Sequence, residues 1–211
     1  MKKIILFSIL LTFTSLHVKS QDNIASIFLN LPDAVISGLD SEAKDKLLSN
    51  PTDTAMISVS TPLYDDIERL AITDDYIYLQ TSPVGTVQIK LLSLINESKI
   101  VCVIHTVGNK ISDSRISFYT PKWVPITQGL FPENSFQWFI KDGVDKESQE
   151  FKNAIAALDM NPMKYVISTS DDSISVYYDI EKYLSEDDYK KLEPFLAKQP
   201  KVFSWDKISY K

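Results

Sequence analysis

Between Tyr76 and Val107 the chain reads "YIYLQTSPVGTVQIKLLSLINESKIVCVIHTV", and its architecture follows from this run. Three segments rich in β-branched and aromatic residues, 76–82, 86–94 and 100–107, are separated by Pro83-Val84-Gly85 and by Asn96-Glu97-Ser98. Proline, glycine and asparagine at such spacers mark tight turns, and connections of a few residues join antiparallel neighbours rather than parallel crossovers. Outward from this core the pattern continues through "RISFYT" (115–120), after Gly108-Asn109-Lys110, and back to about Ile57. A meander of antiparallel strands is therefore expected from about 57 to 126.

The flanks are mixed. Ile24, Ile27, Phe28 and Leu31 recur at helical spacing, Pro32 restarts the chain into a short helical stretch around 34–39, and Asp40 or Ser41 can cap a helix ending near Leu48. Beyond Asp142, Asp145 can cap a helix with Phe151, Ala154, Ile155 and Leu158 on one face, ended by Asn161-Pro162. "KYVISTS" and "SISVYYDI" flank Asp171-Asp172 as a hairpin, Ser185 and Asp188 have capping-box spacing, and "KVFSW" reads as a last strand. The fold class is α+β: an antiparallel sheet, meander plus C-terminal hairpin, with helices at the N-terminus and in the C-terminal third.

The chain opens Met1-Lys2-Lys3, runs apolar from Ile4 to Leu16, and reaches Val18-Lys19-Ser20 before Gln21. That is the pattern of a secretory signal peptide over 1–20, followed by a single domain over 21–211 with possible sub-lobes 21–130 and 131–211. Export, to the periplasm or beyond, is the expected localisation. The apolar run is shorter than the roughly 20 residues of a membrane span, and no cysteine follows the cleavage point to carry a lipid anchor. Cleavage would remove Lys2, Lys3 and Lys19, leaving 19 basic residues against 28 acidic and moving the formal charge from −6 to −9. A chain that acidic, with Arg69 and Arg115 as its arginines and no basic cluster, is poorly built to neutralise phosphates, so nucleic acid is not an expected partner.

Cys102 and His105 invite a nucleophile-and-base reading. Side chains alternate along a strand, so Ile100, Cys102, Ile104 and Thr106 share one face while Val101, Val103, His105 and Val107 share the other. The two point apart. With both faces apolar the strand belongs inside the sheet, where Cys102 is a small buried hydrophobe. His17 would leave with the signal, so His105 is the sole imidazole available to a Ser/His/Asp triad, and no Gly-x-Ser-x-Gly elbow is present. Five glycines and no glycine-rich loop leave phosphate-cradling folds without their motif. Ser41-Glu42-Ala43-Lys44 matches the Ser-x-x-Lys of penicillin-binding enzymes, but so does Ser204-Trp205-Asp206-Lys207, the partner motifs are missing, and Ser41 reads more simply as a helix cap.

The acidic pairs Asp65-Asp66, Asp74-Asp75, Asp171-Asp172 and Asp187-Asp188 are the remaining chemistry. Converging carboxylates could hydrolyse glycosides or bind calcium, and Asp74 and Asp75 are the weak metal candidates, yet each pair falls at a turn or helix start, where aspartate is common. No cofactor is implied. Tyr76, Tyr119, Trp123 and Trp138 could form an aromatic recognition surface for an envelope protein, peptide or glycan, with core packing as the competing reading. The function expected is a non-catalytic exported binding or accessory protein of the bacterial envelope; the alternatives are a small extracytoplasmic hydrolase using aspartates or a calcium-stabilised domain.

"LPDAVISGL" (31–39), "LAITDDYIYLQ" (70–80), "VQIKLLSL" (87–94), "IVCVIHTV" (100–107) and "SRISFYTPKWVPI" (114–126) together resemble a Bacteroidales family of exported proteins, a domain of unknown function. That family carries a Met-Pro-Asp start, a Leu-Thr-Asp-Asp-Tyr motif, an Ile-Cys-Val strand and a Ser-Phe-Tyr motif before a tryptophan. Here Leu31 stands for the opening methionine, and "LDSEAKDKLLSN" replaces an Arg-Leu-Asp-rich helix. The resemblance implies lineage and export and carries no catalytic residue. The same lineage suggests O-glycosylation at Asp53-Thr54-Ala55 and Asp172-Ser173-Ile174.

Overall fold

The computed structural model describes residues 23–50, 56–61 and 66–211. The leader expected over 1–20, the Asp53-Thr54-Ala55 sequence and Asp65 lie outside them.

The meander is present. β1 (Ile57–Val59), β2 (Ile67–Ile72), β3 (Tyr76–Ser82), β4 (Gly85–Ser93), β5 (Lys99–Val107) and β6 (Asp113–Tyr119) form a six-stranded antiparallel sheet in sequence order. A second, three-stranded antiparallel sheet contains β7 (Lys164–Ile167), β8 (Ile174–Tyr177) and β9 (Lys201–Phe203). Among the described residues four short α-helices join the sheets in an α+β fold: α1 (Ile24–Leu29), α2 (Ser41–Leu48), α3 (Gln149–Ile155) and α4 (Glu186–Leu192).

The large sheet is covered on both faces. Ile77, Leu79, Val87, Ile89, Leu91, Val101 and Val103 share a core with Ile24, Ile27, Phe28 and Leu47 of α1 and α2. On the opposite face Tyr76, Leu92, Ile100, Cys102, Ile104 and Phe118 pack with the second sheet, α3 and α4. The alternation of a pleated strand thus divides each central strand between two cores.

Local chemistry explains the helix ends. Asp40, rather than Ser41, caps α2 by accepting from the Ala43 N–H at 2.8 Å. Lys44 is drawn off to the Leu31 carbonyl at 2.7 Å, so the Ser-x-x-Lys spacing builds a helix start. At the other end of α2 the buried Arg69 guanidinium donates to the carbonyls of Leu47, Ser49 and Asn50 at 2.7, 2.6 and 3.3 Å, placing a cation where the helix leaves its carbonyls unpaired. Ser185 caps α4 with Asp188, as the spacing predicts. Two expectations shift. The stretch 34–39 forms turns: the Pro32 carbonyl accepts from the Val35 and Ile36 N–H groups, but Gly38 turns the chain at φ +76° before a helix can grow. The helix expected from Asp145 begins after Ser148, which caps it, while the Asp145 carboxylate accepts from the Glu147 N–H at 3.0 Å.

Candidate functional site

The polar groups that matter lie between the two sheets. Across the large sheet, Tyr76, Lys90, Cys102 and Phe118 stand in one row on adjacent strands, and Tyr78, Gln88, Ile104 and Ile116 in the next. Gln88 and Lys90 are polar residues inside a strand that is otherwise buried, and each meets the C-terminal layer.

Gln88 acts as a surrogate strand residue. Its amide donates to the Tyr165 carbonyl at 3.1 Å, and its oxygen accepts from the Ile167 N–H and the Tyr76 hydroxyl, both at 3.2 Å. The Ser114 hydroxyl accepts from the Tyr165 N–H at 3.0 Å and shares a 2.8 Å bond with Thr106. The free edge of β7 is therefore satisfied by side chains of the sheet beneath it, as buried backbone groups require.

Lys90 is 1% exposed, and its ammonium lies 2.9 Å from Asp75, 3.1 Å from Asp172 and 3.4 Å from the Thr169 carbonyl. Three protons meet three oxygens. Asp75 sits on the β2–β3 turn and Asp172 on the β7–β8 turn, where it adopts φ +59°, so the lysine ties a turn of each sheet to the centre of β4. Sequence inspection picked out both aspartate pairs as turns and missed that one member of each converges on a lysine. The available signal was Gln88 and Lys90 themselves: polar side chains of one parity in a central strand demand partners.

The sequence-selected residues are distributed as follows. Tyr76 is buried, and burial raises the pKa of its hydroxyl above the ordinary phenol range. Tyr119 and Trp123 are half-buried, pack at 5.5 Å and face the α1 core, where the Trp123 indole donates to the Ile27 carbonyl at 3.1 Å. Trp138 lies edge-on to Phe203 at 4.9 Å in the other core. These four rings thus fall into two cores and do not share a face. Asp74 is exposed and its carbonyl accepts from the Ile24 N–H at 2.9 Å, while Asp75 accepts from Thr73 at 2.8 Å besides pairing with Lys90. Among the described residues no three histidine, cysteine, aspartate or glutamate side chains gather closely enough to hold a metal ion. The space between Asp75 and Asp172 is filled by the ammonium. Ser173 donates to Asp171 at 2.7 Å within the β7–β8 connection.

Cys102 and His105 do point to opposite faces. Cys102 pairs with Lys90 on β4 and Phe118 on β6, is 1% exposed, and burial, with the Asp172 charge, pushes its thiol well above the ordinary range. A thiol so held is no nucleophile. In native protein it is expected to resist an aromatic disulfide reagent, reacting only as fast as the chain unfolds, a rate followed by absorbance. His105 sits between Val87 and Arg115, and desolvation first, then the Arg115 charge, hold its pKa below the free value of 6.5. The unfolded chain therefore takes up the proton first as pH falls. Stability should be full above pH 6.5 and decline as pH drops through the lower folded value, and His105→Gln should flatten that decline in urea midpoints measured at intervals from about pH 7.5 to 5.

One open cleft lies away from this seam, among Phe139, Tyr177, Tyr178, Asp179, Glu181 and Tyr189, with a volume near 270 Å³. Its tyrosines come from the "VYYDI" segment and α4, which the sequence reads only as strand and helix.

Fold and seam define a class: a two-sheet α+β domain with helices on both faces of its large sheet, a polar clasp between its layers, and its one cysteine buried. The chain belongs to the family described as "Protein of unknown function (DUF3256)", whose model matches residues 15–210. It is similar, at 26% identity and a TM-score of 0.78, to a solved structure described as a domain of an uncharacterized protein from Porphyromonas gingivalis W83; the match covers 88% of this chain and 96% of that one. Comparison with curated proteins finds no match.

Proposed function

We propose that the protein is a non-catalytic binding or accessory domain, exported to the bacterial envelope, that engages another macromolecule. The observation that carries this reading is where the reactive groups are spent. Cys102 is sealed in the core, Lys90 has every proton engaged, and Asp75 and Asp172 are committed to Lys90. A hydrolase working through aspartates would need one of them free to meet substrate and water. Export rests on the leader-like N-terminus and the family resemblance. No helix among the described residues is long and apolar enough to cross a membrane.

The test pairs two measurements. Crosslinking capture from the native envelope, with tagged protein, is expected to return a saturable partner that untagged protein competes away. Turnover of a panel of glycoside, ester and peptide substrates is expected to be absent. Activity abolished by Asp74→Asn or Asp75→Asn would overturn the reading in favour of the hydrolase. A melting temperature that rises with calcium and falls with chelator would point instead to the calcium-stabilised domain.

A further inference from the structure

The cleft beside α4 has a composition that selects a ligand. Tyr177 projects from the end of β8 and is 41% exposed. Tyr178 stacks on Phe139 at 5.1 Å and 21°, and its hydroxyl donates to the Asn161 side chain at 3.2 Å, so this ring is fixed from both ends. Tyr189 of α4 completes the aromatic lining.

Around these rings stand three carboxylates. Asp179 is paired with Lys182 at 2.8 Å, and Glu193 with Lys198 at 3.1 Å, the latter lysine also belonging to the rim. Glu181 is different: among the described residues no ion pair closes on its carboxylate, which feels Lys182 and Lys198 only at longer range and bears on the Tyr189 hydroxyl, held neutral by burial first and then by the charges of Glu181 and Glu193. An unpaired carboxylate beside electron-rich ring faces is the arrangement that attracts a cation, through charge on one side and the aromatic quadrupole on the other. A volume near 270 Å³ is small beside the roughly 300–1,000 Å³ of drug-sized ligand sites, and suits a single side-chain-sized group.

We propose that this cleft binds an alkyl guanidinium or alkyl ammonium group, of the kind an arginine or lysine side chain presents, with its apolar stem against Tyr177 and Tyr178 and its charge at Glu181. The site rests on the binding-domain reading above and supplies the chemical class of what is bound. A polar sugar would use the same rings but would not need the unpaired charge.

Agmatine, which carries both cationic groups on a four-carbon stem, is the probe, with glucose as a neutral comparator. Titration of the purified protein followed by NMR is expected to give saturable shifts at residues 177–181 and 189 with agmatine and none with glucose. Glu181→Gln, an exposed position whose replacement does not threaten folding, should weaken agmatine about tenfold, and Tyr177→Ser severalfold. Raising ionic strength should weaken it further. No saturable agmatine binding, binding unchanged in both variants, or equal binding of glucose would each overturn the cation site. Envelope capture that persists in Glu181→Gln with no agmatine binding sinks this site alone, whereas substrate turnover sinks the reading on which it rests.

Discussion

Replacing Gln88 by leucine is expected to lower the unfolding free energy by about 3 kcal/mol or more, because each buried group left without a partner costs roughly 1–3 kcal/mol. Three groups lose their bond at once: the Tyr165 carbonyl, the Ile167 N–H and the Tyr76 hydroxyl. Leucine fills nearly the same volume, so little of the loss reflects a cavity. For a chain of this size the melting temperature should fall by about 6–12 °C. Gln88→Glu separates the effects: it keeps acceptors for Ile167 and Tyr76 but opposes the Tyr165 carbonyl with a second acceptor, and it buries a charge. It should be at least as damaging as leucine. Calorimetry on the three proteins checks this, and a leucine variant within 1 °C of wild type would show that the amide does not join the layers.

The same residue shows what the sequence could and could not disclose. Period-two alternation and proline, glycine and asparagine spacers are local signals, and they place β3 to β6 to within two residues, while β1 and β2 are covered only by a run of strand from about residue 57. They also placed Cys102 and His105 on opposite faces, since that follows from parity alone. Helix caps were legible at Asp40 and Ser185 for the same reason. What lies on the second sheet was not. Gln88 and Tyr165 are far apart in the chain, as are Lys90 and Asp172, and no local pattern records which strand will cross over β4. The aromatic residues are ambiguous in the sequence for a related reason. Tyr76, Tyr119, Trp123 and Trp138 stand out by type, but type does not say which of two cores will take each ring. The exposed Tyr177 drew no notice because a tyrosine in a strand is ordinary.

The clasp around Lys90 makes the sharpest energetic prediction, and it is one of asymmetry. Lys90 is 1% exposed, whereas the side chains of Asp75 and Asp172 are 38% and 33% exposed. Removing the lysine, as in Lys90→Met, leaves two carboxylates that can turn to water, and a methionine that fills most of the space with apolar atoms. That exchange should cost less than about 2 kcal/mol, since swapping a buried charge for a packed hydrophobe is often close to neutral. Removing both carboxylates, as Asp75→Asn with Asp172→Asn, leaves an ammonium it cannot hydrate in the core, with dipoles in place of charges. The double variant should lose about 3–5 kcal/mol, the range found when a buried charge is stripped of its partner. Adding Lys90→Met to the double variant should then restore most of that loss, a rescue that simple packing damage would not give. Urea midpoints at constant slope for wild type and the three variants measure each step. If the double aspartate variant is no less stable than Lys90→Met, water reaches the ammonium and the clasp is not sealed. If the order holds, the lysine costs the fold its desolvation, and what the two aspartates return is a fixed register between a turn of each sheet and the strand at the centre of the molecule.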